Sequence, residues 1–235
     1  MSWQAIAAGL FPAGHQIVQD GDFLSGHADV AGQEIAVIGS CNHAEIGVEI
    51  ALRQAQAILN VVRDHPRRPI LLLLDTQGQR LRHRDEMLGI NSFMAHLAKC
   101  VQLARQQGHL VLALVYEQAL SGGFLSTGLM ADACYALPSA SIRVMDLAAM
   151  ARITKIPLAR LQELAQSNPV FAPGAENFQR MGGLAALWPD DLETALQQAL
   201  QMTAQQQDHR ALWGQERGGR THAHAVMQAI LSTTQ

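Results

Sequence analysis

Charge is scarce in this 235-residue chain. Asp, Glu, Lys and Arg make up 16% of it, against 49% hydrophobic residues. A disordered chain has the opposite balance, so a folded core is expected. Excess basic charge is missing as well: 17 Lys and Arg face 20 Asp and Glu, a formal net charge of -3. That argues against a general nucleic-acid binder, which needs a basic face. Cysteine is sparse, with Cys41, Cys100 and Cys134 widely spaced and no Cys-x-x-Cys. A disulfide framework and a zinc ribbon are both excluded. Cys100 and Cys134 sit in apolar contexts and read as buried structural thiols. The longest aliphatic run, residues 70–74, is far too short to span a bilayer. Met1-Ser2-Trp3-Gln4 lacks the basic flank and apolar run of a signal peptide. The chain reads as a soluble cytoplasmic protein: one domain with appendages, long enough to bury a core without metal or disulfide staples.

Several motifs are also absent. No Gly-x-Gly-x-x-Gly follows a strand and no Gly-x-x-x-x-Gly-Lys-Ser/Thr occurs, so neither a dinucleotide fold nor a P-loop is indicated. There is no His-Glu-x-x-His, and His222 and His224 sit two apart in a helical pattern, where alternate residues face different ways. No metal site is expected. Ser40 lies in Ile-Gly-Ser-Cys-Asn, which is not a nucleophile elbow. Ser121 precedes two glycines, but no base is assignable to it.

What is present is alternation. Residues 1–33 are Gly- and Asp-rich, with a short helix over 2–9 and short strands. Apolar runs at 34–39, 70–74 and 110–115 read as buried strands, and those at 134–137 and 141–145 as shorter ones. Helical spacing fills 46–64 and 86–107, the second stopped by Gly108, and a short helix fits 122–131. The remainder reads as helices at 157–167, 174–182, 190–207 and 221–232. Pro189-Asp190-Asp191 is a helix-start signal, and Gln205–Gln207 a solvated helix face. Strands separated by helices pair in parallel through right-handed crossovers, and continuous apolar strands are covered on both faces. The fold class is α/β, with ligands expected at the carboxyl ends of the strands.

Three segments lie at such ends. Ser121-Gly122-Gly123-Phe124 places a Gly pair where a strand runs into a helix. Glycine lets the chain turn sharply and a ligand approach closely. The first N–H groups of a helix have no intrahelical partner and favour negative charge, as an enolate forming from a thioester needs. A plain strand-to-helix turn accounts for the same spacing. Asn42-His43 and Thr76-Gln77-Gly78 are the other two, expected to converge on one edge of the sheet. A helix cap and a turn are their simpler readings. Asp132 and Asp75 read as structural carboxylates, and Arg80, Arg82, His83 and Arg84 form a basic loop, solvated or attracting an acidic partner.

The order Cys41-Asn42-His43, a helix, Asp75-Thr76-Gln77-Gly78, Gly89-Ile90, Ser121-Gly122-Gly123-Phe124, Ala131-Asp132 and Pro138-Ser-Ala-Ser-Ile-Arg-Val-Met145 resembles the carboxyltransferase branch of the crotonase superfamily. That branch carries a DTPG-like turn, a GGA-like turn and an Ala-Asp…Leu-Pro stretch in this order. The resemblance covers residues 34 to 188, and Glu176–Leu184 is similar to the superfamily's late helix. A single domain of this kind is most similar to the γ-subunit family of the biotin-independent malonate decarboxylases. The resemblance implies a crotonase-like core at 34–188, a leader at 1–33 and C-terminal helices at 189–235. It implies decarboxylation of a malonyl thioester, carried on the phosphopantetheine-type arm of an acyl carrier protein, through an oxyanion-stabilised enolate. The site is shared with a β-type partner subunit, and the chain is active only in that complex, with no biotin, nucleic acid or membrane involved. Gly122, Gly123 and Phe124 would supply catalytic N–H groups. Asn42, His43, Gly78 and Ser121 would line the substrate site. Two departures stand out: Gln77 replaces the motif proline, and Phe124 follows the Gly pair where small residues are common. Two alternatives remain beside this reading, a stand-alone acyl-CoA hydratase or isomerase and a non-catalytic scaffold subunit. The first calls for a Gly-Ala-Asp-like loop near residue 80, which here reads Gln-Gly-Gln-Arg-Leu-Arg-His-Arg.

Overall fold

A computed structural model describes residues 1–145, 147–167, 172–188, 190–202 and 208–233. Helix α1 (Trp3–Leu10) and strands β1 (Val18–Asp20) and β2 (Phe23–Val30) precede β3 (Gln33–Ser40) and β4 (Ala44–Ile46). Helix α2 (Val48–Asp64), β5 (Ile70–Gln79), α3 (His83–Met87), α4 (Ile90–Gln106) and β6 (Val111–Leu120) follow. Then come α5 (Ser121–Leu125), a 3-10 turn (Gly128–Met130), β7 (Ala133–Ala136) and β8 (Ser141–Arg143). The chain continues through α6 (Leu147–Thr154), α7 (Leu158–Ser167), α8 (Ala175–Arg180), β9 (Ala186–Leu187), α9 (Leu192–Leu200), α10 (Arg210–Glu216) and α11 (Thr221–Thr233).

The sheet runs β1-β2-β3-β5-β6-β7-β9. Its first three strands are antiparallel. From β3 onward the strands are parallel, as helical crossovers require. Every residue of β5 from Ile70 to Thr76 is buried, so both faces of the strand are covered. On one side α2 and α4 pack together, and Ala51, Ala55, Ile58, Leu97, Val101 and Ala104 on them are buried. Helix α9 packs on α1 of the same chain and buries Leu192, Leu196 and Ala199. Asp191 caps it, accepting from the Thr194 N–H at 3.1 Å, as the acidic start signal predicts.

Two strands are longer than expected, and this reshapes the site. The spacing ends the second strand at Leu74 and the third at Val115. Instead β5 and β6 each continue for five more residues. Their amino halves pair with β3 and β7. Their carboxyl halves pair with the short strands β4 and β8. The register breaks in between: Leu74 opposes Val115, but Thr76 opposes Ala119. This irregularity bends the ladder and lets polar residues 75–79 pair where an apolar pattern gives no sign of a strand.

Other boundaries moved for local reasons. Ala44–Ile46 is strand, so α2 starts at Val48. The helix expected over 86–107 is split by Gly89, which takes φ 76°. Helix α3 draws His83 and Arg84 out of the basic loop. The segment 122–131 is a one-turn helix and a 3-10 turn. Of 190–207, α9 covers Leu192–Leu200, and Gln205–Gln207 lie outside the described residues. The short elements α6, β9 and α10 lie outside the helices and strands that the sequence predicts. No helix among the described residues is long and apolar enough to cross a membrane.

Candidate functional site

Residues 120–123 turn from β6 into α5. Ser121 takes the left-handed φ of 48°, a sparsely populated conformation for a residue with a Cβ. Leu120 is the N-cap, so the N–H groups of Ser121, Gly122 and Gly123 precede the first intrahelical acceptor. Phe124 is the fourth residue of the helix, where an intrahelical acceptor for its N–H first becomes available. The Phe124 ring is 1% exposed and meets Phe178 edge-on at 5.9 Å. Phe124 is therefore a core residue, and Ser121 joins Gly122 and Gly123 as an open donor.

The two glycines differ. A Cβ on Gly123 would lie 2.9 Å from Ile46 Cγ1, 2.9 Å from Thr76 Oγ1 and 3.2 Å from Gly78 Cα. This residue is glycine because α5 lies directly against β4 and β5. A Cβ on Gly122 would meet nothing nearer than Gln79 Oε1 at 3.5 Å, an ordinary contact. Gly78 takes φ 94°, and its Cβ would lie 2.8 Å from the Leu120 carbonyl oxygen. Thr76 holds the arrangement from below: its hydroxyl donates to the Ala44 carbonyl at 2.7 Å and accepts from the Gly78 N–H at 2.9 Å. Gly78, Ser121, Gly122 and Gly123 thus form one cluster.

Asn42 and His43 belong to another. Asp75 and Thr76 are neighbours on an extended strand, so their side chains leave opposite faces. Thr76 faces Gly123, and Asp75 faces His43. The Asp75 carboxylate accepts the His43 backbone N–H and lies against its Nδ1, both at 2.8 Å. Asn42 and His43 sit at φ 57° and 53°, and Asn42 Nδ2 donates to Asp22 at 3.1 Å. Asn42 does not cap a helix, and both residues lie exposed in a turn, as the simpler reading of His43 has it. This turn borders a cavity of about 220 Å³ that includes Cys41, His43, Asp75, Tyr116 and Glu117. Burial, with Asp22 and Asp75 adding, pushes the Cys41 thiol up to about 11. Burial likewise raises the Tyr116 phenol, whose hydroxyl donates to the Ser40 carbonyl at 3.0 Å. The expected single convergence is therefore two clusters on opposite faces of β5. Reading 75–78 as a turn concealed this, because alternation holds only along a strand.

Asp132 is structural, as expected. It is 1% exposed in its side chain, accepts from the Val111 N–H at 2.8 Å and pairs with Arg105 Nε at 2.8 Å. Arg80 and Arg84 pair with Glu45 and Glu49, which offsets much of the basic loop's charge. No group of three potential metal ligands occurs among the described residues.

Large apolar side chains stand in solvent around the α5 turn. Leu125 is on α5 itself, Leu81 lies two residues beyond β5, and Val144 and Met145 lie directly beyond β8; Leu81 is 89% exposed. Leu81 follows β5, which holds Gly78, and Val144 follows Arg143, the β8 residue paired with Leu120.

Comparison with known proteins fits this architecture. The chain is 36% identical over 151 residues to the malonyl-S-ACP:biotin-protein carboxyltransferase MADD of Malonomonas rubra. That match takes in 60% of this chain and 52% of MADD, so the chain spans about half the length of the curated relative it matches. A crystal structure of a Pseudomonas malonate decarboxylase MdcD-MdcE hetero-dimer aligns at TM-score 0.76 and 25% identity over 98% of each chain. A Pseudomonas malonate decarboxylase hetero-tetramer in complex with coenzyme A aligns at TM-score 0.80 and 22% identity, over 97% of this chain and 98% of that one. The fold is the crotonase type of the carboxyltransferases and malonate decarboxylases. The family model for the malonate decarboxylase gamma subunit matches residues 41–234, which take in both clusters, and the chain belongs to that family.

Proposed function

We infer that this chain forms, with a β-type partner subunit, the site that converts a malonyl thioester on an acyl carrier protein to the acetyl thioester and CO2. The observation that carries this reading is the turn at Ser121-Gly122-Gly123. It presents free N–H groups, held by close packing on Gly78 and Thr76, where negative charge develops. Losing CO2 leaves an enolate, and one well-placed donor is worth about 3–4 kcal/mol to such a charge. Because the packing of Gly123 fixes the donors beforehand, little reorganisation accompanies the reaction. Gly78 and Ser121 border the same turn and are assigned to substrate contact.

Two observations support a shared site. The α5 turn is open, and Leu81, Leu125, Val144 and Met145 around it are exposed, an apolar rim suited to burial by another subunit. The Pseudomonas relatives of known structure are hetero-oligomers. Gln77 and Phe124 stand where the carboxyltransferase motifs carry proline and a small residue, in keeping with a reaction that does without biotin.

The test is CO2 release from malonyl-loaded carrier protein, with this chain alone, the partner alone and the two together. Turnover only in the mixture is the expected result. Activity of this chain alone on acyl-CoA would instead make it a stand-alone hydratase or isomerase. An intact complex that keeps full turnover when Gly122 is replaced by a bulky residue would make it a scaffold.

A further inference from the structure

Gly122 is a glycine that the fold does not require. It does not take a positive φ, and a Cβ there would meet its neighbours only at ordinary contact distances, unlike one at Gly78 or Gly123. A glycine with neither reason leaves room for a ligand to approach the backbone closely. The three atoms nearest to a Cβ placed there are Gln79 Oε1 at 3.5 Å, Gln79 Cβ at 3.7 Å and Met94 Cε at 3.8 Å. The space beside Gly122 is therefore bordered by one hydrogen-bond acceptor and one methyl group. We propose that Gln79 is a substrate-binding residue, whose carboxamide oxygen accepts the N–H of the carrier-arm amide nearest the thioester; this rests on the decarboxylation reading above.

Gln79 is the last residue of β5 and is half-buried. Along a regular strand it would share the face of Asp75 and Gln77. Gly78, at φ 94°, interrupts that alternation, and Gln79 comes to the α5 side. Its Nε2 donates to Glu86 Oε1 at 3.3 Å. A carboxylate only accepts, so this bond decides which end of the carboxamide carries the hydrogens. Oε1 is left toward Gly122, oriented before substrate arrives. An acceptor is the wrong partner for an enolate or a malonyl carboxylate and the right one for an N–H. The carrier arm brings such a group. Only the sulfur and two methylenes separate the thioester carbonyl from an amide N–H in a phosphopantetheine-type arm. With the thioester oxygen on the amides of Ser121 and Gly122, that N–H comes within reach of Gln79. Met94, buried on α4, offers its methyl to the methylenes between. Gln79 thus holds the arm, and the backbone amides hold the oxygen.

The experiment compares CO2 release from two malonyl-loaded carrier proteins in the assembled complex. One has the native arm, and the other has an arm N-methylated at the amide nearest the thioester. In the wild type the N-methyl group should lower kcat/KM about tenfold, the worth of one neutral hydrogen bond. The loss should fall on KM, because the bond is made equally in ground state and transition state. Gln79→Met keeps the length of the side chain and removes the acceptor. It should lose about tenfold in kcat/KM with the native arm, at unchanged kcat, and no more with the N-methylated arm. A merely structural role for Gln79 would leave the N-methyl penalty as it is in the wild type. Equal kcat/KM for the two arms in the wild type, or an N-methyl penalty that survives in Gln79→Met, would overturn the proposal and leave the decarboxylase reading standing. A wild-type complex that releases no CO2 from the native arm would overturn both.

Discussion

Gly122 and Gly123 are adjacent and identical, yet the structure assigns opposite signs to the same substitution at each. Ala at 123 places a methyl 2.9 Å from Ile46 Cγ1 and Thr76 Oγ1 and 3.2 Å from the Gly78 backbone. Ile46 and Thr76 are buried, and the Thr76 hydroxyl is committed to Ala44 and Gly78. Relief therefore has to come from moving α5 off β5, at about 1–3 kcal/mol for overpacking of this kind. Loss of glycine freedom in the unfolded chain returns about 0.4–1 kcal/mol, leaving a net loss of up to about 2.5 kcal/mol. For a chain of this size that is a drop in Tm of up to about 10 °C. Ala at 122 makes only contacts of 3.5 Å and beyond, so the same unfolded-state effect leaves it neutral or slightly stabilised. Thermal unfolding of both variants by circular dichroism is the assay. Equal Tm values for the two, or a lower Tm for Gly122→Ala than for Gly123→Ala, would refute the reasoning. In the complex, displaced amides should also cost Gly123→Ala about 10²–10³ in kcat.

Phe124→Leu should lower stability, because the ring fills a buried site against Phe178, by about 1–3 kcal/mol in urea unfolding. It should keep near-normal turnover, because the Phe124 amide lies at the fourth position of the helix. Asp132→Ala leaves Arg105 partly buried without its carboxylate and the Val111 N–H without an acceptor. A loss of about 3–5 kcal/mol is expected, seen as a lower urea midpoint. The Cys41 thiol, pushed up to about 11 by burial with Asp22 and Asp75 adding, is almost wholly protonated at pH 8. Iodoacetamide should label it slowly in the native protein and rapidly after unfolding, as peptide mass mapping would show, and native labelling should accelerate as the pH approaches that value.

The strong apolar patterns held. Residues 34–39, 70–74 and 111–115 are strands in the sheet, and the stripes of α2 and α4 face the core. Continuous aliphatic runs admit burial on both faces and little else. The shorter elements at 2–9, 134–137, 141–145, 157–167, 174–182 and 221–232 also formed, with shifted ends, but two readings did not hold. Nothing in Asp75-Thr76-Gln77-Gly78-Gln79 favours a strand, and it became one because β4 lies beside it. Gly89 divides a periodic helix that its apolar residues describe as continuous. For the site, the Gly pair after a strand was legible, but that only Gly123 has no room for a Cβ was not, because that depends on Ile46, Thr76 and Gly78. That Phe124 is core and Ser121 an open donor depends on where the helix begins, and a boundary shift of one residue changes which amide is free.

By itself the sequence determined the α/β class, the order of the main strands and helices, and that segments 42–43 and 121–124 follow strands. Each follows from the composition and period of a local stretch of chain. Only the tertiary structure decided which segments meet. It divided them between the faces of β5, joined Asp75 to His43 across 32 residues and set Gly123 against Ile46 and Gly78. Contacts between distant segments depend on strand register and on which face each side chain takes. A single register break, such as that between Leu74 and Thr76, redistributes both.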